Sequence, residues 1–212
     1  MSKTAPFPNL RRRLVAILRG LKPEEAVAVA GAIHAAGIEA IEVPLNSPDP
    51  FASITAIGKA LPKTALVGAG TVLTAQDVDR LHEAGGRLLV SPNIDAEVMA
   101  AARRHGMVTM PGVFTPTEAF LALRLGASAL KFFPASVLGT GGIAAMKAVL
   151  PADTIVGAVG GVSEKDFAGY KAAGVSAFGL GSSLFKPGMS VDEIAGRART
   201  AAAAWDATFG AA

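Results

Sequence analysis

An apolar, β-competent run recurs eight times along the chain, and this recurrence limits the fold more than any other feature. The runs lie at 14–19, 40–45, 65–70, 87–91, 107–111, 129–133, 154–159 and 176–180. Their starts are about 20 to 26 residues apart, room for one helix and two short loops between neighbours. Several runs are apolar without alternation, the pattern of parallel strands covered on both faces. The segments between them carry helix signals. Pro23, Glu24 and Glu25 suit a first turn, and Gly37 suits the stop. Thr74, Thr115, Ser163 and Ser190 each precede a carboxylate three residues on, as N-caps do. Arg103, Arg104 and His105 before Gly106 read as a last turn and its C-cap. Eight strand–helix units predict an α/β chain of the (β/α)8, or TIM-barrel, class. An open doubly wound sheet is the competing layout; it leaves two edges and is favoured by a GxGxxG motif that this chain lacks.

The 212 residues, 51% hydrophobic, suffice for one core and are short for two. We expect a single domain over 1–212, with an N-terminal extension at 1–13 and a C-terminal helix at 190–209 that packs through Trp205 and Phe209. With no cysteine there are no disulfides or thiolate metal ligands. Arg11, Arg12 and Arg13 read as a solvated surface, since no aromatic residues alternate with them to form a nucleic-acid groove. No uncharged apolar run reaches the length of about 18 residues that a membrane span needs. The run from Leu14 to Leu18 is cut off by Arg19, too short for a signal peptide core. A cytoplasmic protein without nucleic-acid or membrane partners is the expectation.

In a parallel barrel, the C-terminal strand ends and the loops after them converge on one mouth. That mouth would collect Arg19, Glu42, Asn46, Thr71, Pro92, Lys131, Gly160, Gly161, Gly181 and Ser182. The opposite strand ends are mostly Leu, Ala and Ile. Lys131 lies in the otherwise apolar stretch Ala129–Ala135, where an ammonium must be paired or have its pKa lowered. A snorkelling surface lysine is the plainer reading; a desolvated, partly neutral amine that forms a Schiff base with a ketone is the functional one. Glu42, also inside a strand, is its natural partner, either in a structural ion pair or as the group that shuttles protons. Gly160-Gly161 and Gly181-Ser182 follow strands seven and eight, where barrels commonly bind phosphate through backbone amides. Thr71 can donate to a carboxylate or ketone oxygen. Arg19 can clamp a carboxylate or hydroxyl, or else pair with Glu42. His34, His82 and His105 fall on helical segments without metal-ligand spacing, so neither a metal nor a cofactor is expected.

The stretches 14–20, 41–48, 68–73, 91–93, 111–112, 131–134, 159–162 and 179–182 together resemble the class I pyruvate aldolases that cleave 2-dehydro-3-deoxy-6-phospho-sugar acids. The resemblance implies that Lys131 is the Schiff-base lysine and Glu42 the general acid/base. It places phosphate at the glycines and Ser182, and it implies a homotrimer. The family has two branches, for gluconate- and galactonate-derived substrates that are epimeric at C4. Asn46-Ser47-Pro48 and Val159-Gly160-Gly161 resemble the galactonate branch, whereas Phe132 and Phe133 after the lysine are similar to the gluconate one. Phe132 should point away from substrate, because side chains alternate across a strand. Val159, where the gluconate branch usually has threonine, is therefore the C4-specificity candidate. The alternatives are gluconate preference with the same mechanism, or a phosphate-binding barrel isomerase or synthase, which has no need of Lys131 beside Glu42.

Overall fold

The computed structural model describes residues 4–210; the first three residues of the extension and the last two of the chain lie outside the described residues. The strands are β1 (Leu14–Ile17), β2 (Ala40–Pro44), β3 (Leu66–Gly70), β4 (Leu88–Val90), β5 (Val108–Met110), β6 (Gly112–Val113), β7 (Leu130–Phe132), β8 (Val156–Val159) and β9 (Ala177–Leu180). All pair in parallel, in the order β5-β4-β3-β2-β1-β9-β8-β7-β6. β5 and β6 are one stretch of chain interrupted at Pro111, which has no N–H to donate. The expected fifth strand is therefore split. Its first half pairs with β4, while its other edge accepts from β7 throughout: Ala129 N–H to the Thr109 carbonyl at 3.1 Å, Lys131 to Pro111 at 3.0 Å, Phe133 to Val113 at 3.1 Å. The sheet thus closes into a barrel. No open edge remains at this break.

The helices are α1 (Pro23–Ala35), α2 (Pro50–Ala60), α3 (Ala75–Glu83), α4 (Ala96–Arg104), α5 (Pro116–Arg124), α6 (Ala135–Lys147), α7 (Phe167–Ala172) and α8 (Val191–Phe209). Their signals act as the sequence predicts. The Asp77 N–H donates to the Thr74 hydroxyl at 3.1 Å. Thr115 and Glu118 bond reciprocally, at 2.7 Å and 3.3 Å, the two halves of a capping box. Gly37 and Gly106 leave α1 and α4 with positive φ, as helix stops commonly do. Ser163 instead caps a single 3₁₀ turn, Glu164–Asp166, which leads into α7. Trp205 stacks on Phe209 at 4.2 Å, and both meet Phe178 at 6.2 Å. These aromatic contacts dock α8 on the barrel wall.

Alternation along the strands sorts side chains into two cores. Ala16, Ile41, Val43, Val67, Phe132 and Phe178 point outward beneath the helices. Val15, Ile17, Ala40, Leu66, Leu88, Met110, Ala129 and Val159 point inward. Phe132 thus faces away from the barrel interior, as predicted. Glu42 is two residues beyond inward-facing Ala40, and Lys131 two beyond Ala129, so strand parity turns both inward. Leu10 is buried with the inner core and Phe7 packs against it, so the N-terminal segment covers the end of the barrel remote from the mouth.

One expectation fails here. Arg12 is not solvated: its side chain is buried and donates to both carboxylate oxygens of Asp206, at 2.8 and 2.5 Å, and to the Gly37 carbonyl at 3.2 Å. The pairing holds the Asp206 carboxyl below the usual carboxylate range, chiefly through this hydrogen bond. Arg11 alone of the three stays exposed.

Candidate active site

β1, β2, β7, β8 and β9 end around a cavity of about 170 Å³ lined by Arg19, Glu42, Lys131, Phe133, Val159, Gly160, Gly161, Gly181 and Ser182, among others. Parity and register produce this convergence. Glu42 pairs in register with Ile17 and Gly68, and Lys131 with Gly112 and Gly157. Three of these four register partners are glycines, and none has room for a side chain: a Cβ on Gly157 would lie 2.1 Å from the Met110 Cε, and one on Gly68 or Gly112 would fall on neighbouring backbone. A Cβ on Gly70 would lie 2.1 Å from the Glu42 carboxylate, so only glycine lets that side chain occupy its place.

Glu42 is 2% exposed and Lys131 6%. Burial raises the Glu42 pKa to about 7, opposed by the positive charges of Lys131 and Arg19 and by a backbone hydrogen bond from Gly70. Burial lowers the Lys131 pKa to about 8, opposed by Glu42 and reinforced by Arg19. Each group is therefore near the point at which it can exchange a proton at neutral pH. Glu42 and Lys131 make no ion pair within 4 Å, and the Glu42 Oε2 is buried without a hydrogen-bond partner. Instead, the ammonium lies 4.6 Å from the Phe133 ring centroid, within reach of the ring's negative face. A carboxylate and an amine on facing walls, both desolvated and neither saturated, suit proton transfer to and from a molecule between them.

Arg19 does not pair with Glu42. Its guanidinium donates to the Asn46 side-chain oxygen and to the Thr71 hydroxyl at 3.4 Å, linking β1, β2 and β3 across the rim. Thr71 adopts φ 56°, a left-handed conformation costly for a branched residue. Thr71 and Asn46 line a groove beside the cavity rather than the cavity itself. Pro92 is not among the residues that line the cavity, but its carbonyl lies 2.1 Å from where a Cβ on Gly112, the register partner of Lys131, would fall.

On the far wall, Gly160 and Gly161 have φ 93° and 71°, which a Cβ-bearing residue adopts only with strain. Among the described residues, the N–H groups of Gly161, Ser182 and Ser183 donate to no protein acceptor. The predicted glycine loops therefore offer free amides beside the cavity. The histidines lie elsewhere: His82 stacks on His105 at 4.1 Å, and His105 meets Asp79 at 2.7 Å. Lys147 and Lys171, on α6 and α7, are committed to backbone carbonyls, Lys147 to Thr154 at 3.1 Å and Lys171 to Thr208 at 2.6 Å. One residue behind the site goes unread in the sequence: Arg197 of α8 donates to the Ser183 carbonyl at 3.2 Å behind the second loop.

A family model described as "Aldolase: KDPG and KHG aldolase" matches residues 9–204. The chain belongs to this aldolase family. A relative from Rhizobium meliloti (strain 1021), named probable 2-dehydro-3-deoxy-6-phosphogalactonate aldolase, is 60% identical over 205 residues, 97% of each chain. A relative from Escherichia coli (strain K12), named 2-dehydro-3-deoxy-6-phosphogalactonate aldolase, is 50% identical over 87% of this chain and 90% of its own. A solved structure entitled "Native KDPGal structure" superposes with a TM-score of 0.90 at 46% identity, covering 98% of each chain. Membership agrees with the site: an amine and a carboxylate face each other inside a (β/α)8 aldolase barrel.

Proposed function

We propose that the protein is a class I aldolase that reversibly cleaves 2-dehydro-3-deoxy-6-phosphogalactonate to pyruvate and D-glyceraldehyde 3-phosphate. The observation that carries the chemistry is the pair Lys131 and Glu42, buried on facing strands around one small cavity, with the amine brought down to about 8 and the carboxyl up to about 7. The galactonate assignment draws on the names of the two relatives above and on Val159 and Asn46.

In this reading the neutral Lys131 amine attacks the C2 ketone. Glu42 passes protons, directly or through water, as the carbinolamine forms and loses water to give an iminium. The carboxylate then takes the proton of the C4 hydroxyl. The C3–C4 bond breaks, its electrons pass into the iminium, and glyceraldehyde 3-phosphate leaves. Protonation of the resulting enamine at C3 and hydrolysis release pyruvate and restore the amine. Arg19, with Thr71 and Asn46 holding it, faces the substrate carboxylate and hydroxyls. The amides of Gly160, Gly161 and Gly181 and the Ser182 hydroxyl hold the 6-phosphate, a role that free N–H groups beside a cavity suit. The working form is a homotrimer in the cytoplasm; no helix among the described residues is long and apolar enough to cross a membrane. Light scattering should return about three chain masses of 21.4 kDa.

Borohydride reduction in the presence of pyruvate, followed by peptide mapping, tests the enzyme class. A reduced adduct at Lys131 is expected; an adduct at Lys147 or Lys171, or none, would overturn the mechanism.

A further inference from the structure

We infer that Arg197 is a positioning residue that fixes the loop after β9 in its anion-binding shape, an inference that rests on the phosphate reading of that loop. Arg197 is on α8, behind the loop, and it does not line the catalytic cavity. Its Nη1 donates to the Ser183 carbonyl at 3.2 Å and reaches the Ser182 carbonyl at 3.5 Å. Its Nη2 pairs with Glu193 at 3.0 Å. Glu193 is one turn earlier on the same helix, so the pair holds the guanidinium in that direction. The Ser183 hydroxyl donates to the Val162 carbonyl at 3.2 Å, tying this loop to the Gly160-Gly161 loop.

The consequence is geometric and electrostatic. A peptide unit has its oxygen and its N–H at opposite ends. Holding the Ser182 carbonyl on the outside, toward a cation, directs the N–H of the same peptide away from it, while the peptide of the Ser183 carbonyl is fixed at its other end by the Leu184 N–H, which donates to the Gly181 carbonyl at 2.9 Å. The N–H of Ser183 belongs to the peptide whose carbonyl is that of Ser182, and it is among those that donate to no protein acceptor. The guanidinium also neutralises carbonyl oxygens whose negative ends would otherwise lie near a bound dianion. Through Ser183 and Val162 the constraint extends to the other glycine loop, so both phosphate-facing loops are held as one unit. Arg197 thereby acts on an anion that it does not touch.

The test uses the full chain with Arg197→Ala, Arg197→Lys and, as a control on the exposed face of the same helix, Arg199→Ala. Three quantities are read: KM for the phosphorylated aldol, competitive inhibition by inorganic phosphate, and the rate of pyruvate trapping at Lys131 by borohydride. Arg197→Ala should raise KM and weaken phosphate inhibition together by about tenfold, as loss of a charged hydrogen bond would. Pyruvate trapping should stay unchanged, since pyruvate has no phosphate. Arg197→Lys should fall between, keeping the charge and losing the two-pronged geometry. Arg199→Ala should match the wild type. Phosphate inhibition unchanged in both Arg197 variants would overturn the inference, as would a loss of pyruvate trapping as large as the loss of phosphate inhibition. If the wild type itself ignores inorganic phosphate and turns over the unphosphorylated aldol equally well, the phosphate reading fails first and takes the inference with it.

Discussion

Arg12 and Glu42 are two ionisable side chains buried in the same chain and treated in opposite ways. Arg12, away from the cavity, has Asp206 on two of its nitrogens and the Gly37 carbonyl on a third. Glu42, at the mouth, keeps one carboxylate oxygen without any partner and has a pKa of about 7. A saturated charge has a single stable state and serves the fold. An unsaturated one is left with capacity for a proton or a substrate atom, and the fold bears its cost. The split follows the barrel's two ends: one is covered by Leu10 and Phe7, while the other carries the strained Thr71 and the Gly160-Gly161 turn.

Removing the nucleophile should give the largest effect. Lys131→Ala should abolish turnover and borohydride trapping while circular dichroism still reports a folded barrel, because Lys147 and Lys171 are tied to carbonyls elsewhere. Residual trapping at another lysine would break the contrast between saturated and unsaturated groups. Glu42→Gln should keep pyruvate binding and slow cleavage by roughly 10²- to 10⁴-fold. Because Glu42's charge raises the Lys131 pKa, the variant's trapping rate should rise with pH along a curve displaced to lower pH. Stability should move the other way from activity. The folded-state pKa of Glu42 is raised from 4.5 to about 7, so its contribution is intact below pH 4.5 and is lost as pH rises through 7. The glutamine variant should therefore melt higher than the wild type at pH 8 and gain nothing at pH 4. A variant that melts lower at pH 8 would make Glu42 a structural residue.

Arg12→Ala should do the reverse. It strands Asp206, which is still partly in contact with water, and should cost about 2–3 kcal/mol of stability. The values of kcat and KM at a temperature well below melting should be unchanged. A tenfold fall in kcat with normal stability would remove the distinction between the two buried charges.

The barrel and most of its mouth are legible because they follow from local periodicity. Eight recurring runs give the strands, and parity along β2 and β7 turns Glu42 and Lys131 inward. What stays hidden depends on partners far away in sequence. Arg12 looks solvated in a run of three arginines because Asp206 is 194 residues further on. The small residues at 68–70 read as room at the mouth, but which group takes that room shows only when β2 and β3 are set side by side and the Glu42 carboxylate occupies the space of the missing Gly70 Cβ. A strand-end position assigns Pro92 to the mouth, and only the fold shows its carbonyl held against Gly112, the register partner of Lys131. Pro111 foreshadows the division of the fifth strand, although its effect is confined to one edge, and the barrel closes across it.

The smallest effect concerns Val159, which separates the two epimers. It is inward-facing, 4% exposed, and lines the cavity with Lys131 and both glycine loops. Its Cγ2 would be 2.8 Å from a Cβ on its ladder partner Gly179, so the valine is closely fitted on that side. Threonine has nearly the same shape and adds one hydroxyl. In the wild type nothing at this position can donate to a C4 hydroxyl. A substrate whose hydroxyl is buried against the valine loses about 1–3 kcal/mol, roughly tenfold to over a hundredfold in rate. A site that supplies the bond discriminates against the epimer that cannot use it. We therefore expect kcat/KM for the galactonate-derived substrate to equal or exceed that for the gluconate-derived one, with Val159→Thr moving the ratio toward gluconate by about tenfold. Substantial turnover of both epimers is compatible with this, since Lys131, Glu42 and the phosphate loops serve either. Kinetics on both pure epimers decide it: a wild-type preference for gluconate above tenfold, left unmoved by Val159→Thr, would mean that specificity is set elsewhere on the rim. The Arg19, Asn46 and Thr71 network would then be the next place to substitute, because its partners are satisfied by one another and a change at Asn46 would release Arg19 toward the substrate.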